Sequence, residues 1–284
     1  MPGEEGESLI HVAIEAEPLF DIGPLTFTNS MVGALLASAL LLVAAWWFTR
    51  NSSLIPSRLQ STLELPIELM AGIVSDSSSR WRGYVSLILG LFLMILVANW
   101  IGLLPGVGTI GIEHVDEAGH QAVIPLVRPA SADLNFTLGL AIVAFVMFIY
   151  WGIKANGLGG YLKELLGEPL YMAPLMFPIN LISEFSRLIS LSMRLFGNVF
   201  AGEVLLATMI ALAPILIPAV FLGLELLFGF VQALVFALLA MTYIATAIAE
   251  HHSAGHGDDE HSDHGEADGH ATTQHSPVGA ATNA

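Results

Sequence analysis

"SEFSRLISLSMRLFGNVFAGEVLL" (Ser183 to Leu206) has the apolar density of a membrane-embedded helix, yet it carries Glu184, Arg187, Arg194 and Glu203. Charged groups at membrane depth are costly; they face a protein interior or a water-filled path and mark function. The rest of the chain supports membrane embedding: of 284 residues 55% are hydrophobic and 12% charged. Apolar runs stand at Met31 to Phe48, Tyr84 to Leu104 and Leu134 to Ile153, and two longer ones run from Ile179 to Ala213 and from Ala219 to Ala249. Each approaches or exceeds the ~20 residues that a spanning helix needs. They predict an all-α integral membrane protein of five to six helices.

The run from Met31 is not expected to be a cleaved signal peptide, because the residues before it (Glu4, Glu5, Glu7, Glu15, Glu17, Asp21) are acidic rather than basic. The formal charge of −16 belongs largely to the two ends. Orientation is read from Lys and Arg beside the runs: Arg50, Arg58, Arg80 and Arg82 lie between the first and second, Lys154 and Lys163 between the third and fourth. Positive charge favours the cytoplasmic side. That makes 1–29 a non-cytoplasmic segment, 30–250 a multi-pass domain of an inner or plasma membrane, and the C-terminus cytoplasmic. The loop Pro105 to Asp133, whose only basic residue is Arg128, faces the non-cytoplasmic side.

Within the domain, 57–79 mixes apolar residues with Arg58, Glu64, Glu68 and Asp76, which suits an amphipathic interfacial helix or, equally, a loop. Gly106 to Ser131 reads as an irregular loop, and "KANGLGGYLKELLGEP" (Lys154 to Pro169) as a turn plus a short surface helix ended by Pro169. The tail 251–284 holds seven of the ten histidines and no apolar run, and is expected to be disordered. The chain has no cysteine, no phosphate-cradling G-x-x-x-x-G-K-[ST], no G-x-S-x-G and no H-E-x-x-H. No cofactor, metal site or nucleic-acid partner is expected, and nucleotide chemistry is left to another chain.

A helix turns about 100° per residue, so with Arg194 as zero, Arg187 falls at about +20°, Ser190 and Thr208 at −40°, Asn198 at +40°, Gly197 at −60° and Ala201 at −20°. One face therefore carries both arginines among small residues, which lets a partner helix approach closely. Glu203 falls at about 180°, and Glu184 at about +80°. In the last run Glu225 and Gln232 are seven residues apart and share a face, with Thr246 about 40° from Gln232. The two long runs exceed a ~30 Å hydrocarbon core when helical, which predicts a steeply tilted hairpin turning near Pro214 and Pro218. The alternative is that Gly197, Gly202 or Gly223 breaks them into shorter pieces.

"SRLISLSMRLFGNVFAGE" resembles the signature of subunit a of the F-type ATP synthases, the stator subunit bordering the rotating c-ring. "RPASADLNFTLGLA", "GIKANGLGGYLKEL" and "ANWIGLLPG" extend the likeness, which covers the chain from about Glu64 to Glu250. The resemblance implies that Arg194 is the essential arginine that meets the carboxylate of each passing c subunit. It further implies that Asn198 and Glu203 belong to the ion path, that Gln232 is the glutamine of the last helix, and that Glu225 stands where members vary between Glu and His. Asn99 matches an asparagine near the end of the second run, Gly102 stands where some members carry Asp, and Arg187 stands where a basic residue is common.

Two offset half-channels would then couple proton flow to rotation and ATP synthesis, with Glu203, Glu225 and Asn99 on the non-cytoplasmic route, Gln232, Asn198 and Ser190 as further residues of the path, and Glu184 and Arg187 toward the other side. Implied partners are the c-ring, peripheral-stalk b subunits and, indirectly, the soluble ATPase head; the chain would be no enzyme by itself. A bare carboxylate is strongly disfavoured in low dielectric, so a ring acid is stable ionised only beside a fixed cation, and an arginine does not pass the proton on. Competing readings are open. Glu184 and Arg187 are at (i, i+3) spacing and suit simple pairing. Glu203, Glu225 and Gln232 suit interhelical hydrogen bonding, and Ser190 and Asn198 suit packing. A secondary transporter with an Arg/Glu substrate site is the rival class; the lack of internal repeats and the five runs argue against it.

Overall fold

The computed structural model describes residues 16–22, 25–51, 58–77, 81–104, 107, 111–115, 121–167, 170–212 and 216–249. The tail 251–284 and the acidic residues before 16 lie outside them. Five helices are long and apolar enough to cross a membrane: α1 (Asn29–Asn51), α3 (Val85–Gly102), α4 (Leu134–Leu166), α5 (Ala173–Leu212) and α6 (Leu216–Ala249). Their outward side chains are those of a protein solvated by lipid, with Leu42 72% exposed on α1 and many aliphatic groups exposed along α5 and α6. The protein is an all-α membrane protein.

The sixth helix, α2 (Arg58–Ser77), occupies the segment for which a loop was the equal alternative. It buries Met70 and Val74 in the main core with Tyr84. Ile88, Phe92 and Ile95 of α3, Leu191 and Leu195 of α5, and Phe236 and Ile244 of α6 complete that core. A smaller cluster ties Ala37 of α1 to Ala98, Ile101 and Ala130.

The expected turn between the third and fourth runs sits inside α4, where Gly157 (φ +72°) breaks the helical path and a second helical stretch follows. The stop is Gly167 rather than Pro169: at φ +77° it takes the left-handed conformation open to glycine, and its N–H reaches the Lys163 carbonyl at 2.9 Å. α5 runs unbroken through Gly197 and Gly202, and α6 through Gly223. The connection between α5 and α6 falls between Leu212 and Leu216, near Pro214 and Pro218 as expected. Pro218 lies in the first turn of α6, where its missing N–H has no helical partner to lose; residues 213–215 lie outside the described set.

Two short hairpins were not expected. β1 (Pro18–Ile22) pairs with β2 (Leu25–Thr28), and β3 (Gly111–Val115) pairs antiparallel with β4 (Gln121–Pro125) inside the stretch read as irregular loop. Strands of four or five residues carry too little alternation to stand out from turn signals. Arg128 follows β4 and is buried at the junction of α1, α3 and α4.

Candidate functional site

Asp133, next to the first residue of α4, organises the junction that delivers Arg128. Its Oδ1 accepts the Asn135 N–H at 2.9 Å as a helix cap, and its Oδ2 accepts from Ser30 Oγ on α1. Gly33 of α1 lies against the Arg128 carbonyl so closely that a Cβ there would strike it, and Pro129 packs on Gly102 of α3 in the same manner. From this base the Arg128 side chain, 5% exposed, extends to Glu203 on α5. Nε lies 3.1 and 3.2 Å from the two Glu203 oxygens, and Nη2 donates to Oε2 at 2.9 Å. Charge-assisted forked contacts of this kind are strong and directional.

Glu203 and Arg128 line a cavity of about 270 Å³ between α3, α5 and α6, together with Asn99, Gly102 and Glu225. Asn99 Nδ2 donates to the Gly229 carbonyl of α6 at 3.1 Å, while its Oδ1 is buried without a hydrogen-bond partner. Glu225 also lines a second space, a groove of about 180 Å³ between α5 and α6 that holds Asn198, Ala201 and Phe228. Gly202 borders both, and a methyl group there would fall on the Glu225 carboxylate. A third cavity, of about 310 Å³ between α4, α5 and α6, is lined by Asn180, Ser183, Glu184, Arg187 and Thr246.

The structure thus brings Asn99, Glu203 and Glu225 together and gathers Glu184 and Arg187 elsewhere. Arg187 Nη1 pairs with Glu184 Oε1 at 3.1 Å, and its guanidinium lies 5.5 Å from the Tyr243 ring centroid on α6. It thus touches α6 while its side chain remains 39% exposed. α5 buries Leu191, Ser192, Leu195 and Val199 and leaves Ser190, Arg194, Gly197, Ala201 and Thr208 exposed along one strip. Among the described residues no ion pair engages Arg194. Gln232 is buried on α6 with Nε2 lacking a hydrogen-bond partner, and it lines none of the three spaces.

Sequence reasoning missed Arg128 and Gly202. Arg128 was visible only as the sole cation of its loop, adjoining a proline, and nothing local linked it to Glu203, 75 residues away.

Helices long enough to span, with two groups of ionisable side chains gathered between them and an arginine that forms no ion pair among the described residues on an exposed face, define a multi-pass membrane protein. The model of the family described as ATP synthase A chain matches residues 31–245. The chain is 34% identical over 235 residues to ATP synthase subunit a of Gloeobacter violaceus, covering 82% of this chain and 89% of that one. It is 34% identical over 229 residues to the sodium ion specific ATP synthase subunit a of Propionigenium modestum, with 80% and 75% covered. To ATP synthase subunit a of Geotalea daltonii it is 36% identical over 215 residues, with 75% and 85% covered. The chain belongs to the ATP synthase A chain family.

Proposed function

We propose that this chain is the ion-translocating stator subunit of a rotary ATP synthase and that the exposed strip of α5 faces a ring of c subunits. One observation carries the reading. Two separate cavities lined by ionisable side chains lie along α5, one holding Glu203 and the other Glu184 and Arg187. Sixteen residues, or about 24 Å of helix, separate Glu203 from Arg187, and Arg194 lies between them on the exposed strip.

In this reading the two cavities are the half-channels. An ion enters by the cavity of Asn99, Glu203 and Glu225, and passes through the α5–α6 groove beside Asn198 to a ring carboxylate. It leaves after a turn of the ring through the cavity of Ser183, Glu184 and Arg187. Arg194 stabilises the ionised ring acid as it passes, and because its guanidinium does not release a proton it separates the two routes. Ser190 flanks it on the strip, and Gln232 stands buried on α6. At 40 and 34 residues, α5 and α6 extend about 60 and 51 Å, which favours steep tilting across a ~30 Å core.

The coupling ion is the proton and the C-terminus is cytoplasmic, the latter following from the placement of Lys and Arg between the spans. Peripheral-stalk b subunits and the soluble head complete the assembly, and the chemistry on nucleotide occurs there. The test is isolation followed by mutation. The chain should co-purify with a c-ring and an ATPase head, and Arg194→Ala should abolish ATP-driven pumping while leaving that assembly intact. Coupled pumping by Arg194→Ala would refute the role given to Arg194, and failure to co-purify would refute the stator reading.

A further inference from the structure

Glu203 and Glu225 line the same cavity, yet their surroundings differ. Both Glu203 oxygens are held by Arg128 at 2.9–3.2 Å, from a side chain that is 5% exposed. The arginine is itself delivered from a fixed base, its carbonyl wedged against Gly33 and the next residue, Pro129, pressed on Gly102. Glu225 has no hydrogen bond or ion pair among the described residues, and it borders both the α3–α5–α6 cavity and the α5–α6 groove. Gly202 leaves the gap through which its carboxylate reaches both.

A group that relays an ion must exchange partners at every step. A carboxylate gripped at both oxygens by a guanidinium that keeps its protons is badly suited to that task. A carboxylate with open oxygens and access to two spaces suits it well. We infer that Arg128 is a positioning residue: it pins Glu203 as a fixed wall of the cavity and leaves Glu225 to pass the coupling ion across the Gly202 gap to the groove beside Asn198. The inference rests on the stator reading above and divides labour between two acids which that reading treats alike.

The test uses ATP-driven pumping by the complete complex in inverted membrane vesicles, expressed per assembled complex. R128Q releases Glu203 beside the relay and lowers pumping on the order of tenfold, whereas R128Q/E203Q pumps at least about fivefold faster than R128Q, as expected for two partners of one pair. R128K, a point charge that cannot fork across both oxygens, falls between R128Q and the parent. E225Q, which has no carboxylate to pass the ion, abolishes pumping, whereas E203Q slows it without abolishing it, a difference that a purely structural role for either acid would not produce.

A double variant no faster than R128Q, or an E203Q complex that pumps no faster than E225Q, overturns the inference. Should R128Q fail to assemble, the E203Q and E225Q rates decide alone. Arg194→Ala run alongside separates the two readings. Its loss of pumping together with an unrescued double variant sinks only the division of labour, whereas its retained pumping sinks the arginine's role in the stator reading.

Discussion

Replacing Gly202 with alanine separates the ion path from the stability of the bundle. The added methyl group falls on the Glu225 carboxylate, closer than side chains tolerate, so that carboxylate must move. It is the far end of a flexible side chain, and pushing it off its rotamer costs about 0.5–1.5 kcal/mol. Gly→Ala inside a helix returns roughly 1 kcal/mol, so the net change in stability is close to zero. Assembly should therefore match the parent. The displaced carboxylate no longer bridges the cavity and the groove, and a misplacement of about 1 Å in a reacting group costs up to about a hundredfold. ATP-driven pumping in vesicles, normalised to co-purified complex, should fall roughly 10- to 100-fold. Adding Glu225→Asp, one carbon shorter, should restore part of the loss by withdrawing the carboxylate from the new methyl. Parental pumping by Gly202→Ala would refute the gap as the crossing point, and a complex that fails to assemble would refute the stability reasoning.

Asp133→Ala removes both the cap on α4 and the bond from Ser30, and should destabilise the complex by about 1–3 kcal/mol, read as faster thermal inactivation. Gly33→Val drives a branched side chain into the Arg128 backbone; it should cost about 1–3 kcal/mol and show as reduced accumulation of the subunit in membranes. Glu184→Gln breaks a partly exposed pair with Arg187 and should change stability by less than about 1 kcal/mol, so any slowing of pumping in that variant reports on the ion route itself. Proton coupling predicts full ATP-driven acidification in sodium-free buffer, and a requirement for added Na⁺ would reverse that assignment.

The spans were legible in the sequence because burial in lipid leaves a long, continuous signal. Five apolar runs near or above twenty residues became five helices, and the strip of α5 with Ser190, Arg194, Gly197, Ala201 and Thr208 was predicted by helical angle and is exposed as one face. Glu184 and Arg187 could be paired on paper because (i, i+3) spacing is a property of one helix. Elements without such periodicity were misread or left open: the β3–β4 ribbon was hidden among turn residues, and α2 could not be told from a loop.

What the sequence by itself determined is the solvent, the five long apolar helices and the face each ionisable group occupies on its own helix. What only the tertiary structure decided is which faces meet. Arg128 finds Glu203 through a junction built from α1, α3 and the start of α4, and Glu225 reaches its two cavities because Gly202 of a different helix leaves room. Those contacts join residues 75 and 23 positions apart. The angle of one helix carries no information about its neighbour's distance, which is set by close packing of side chains and, at these points, by the absence of a Cβ.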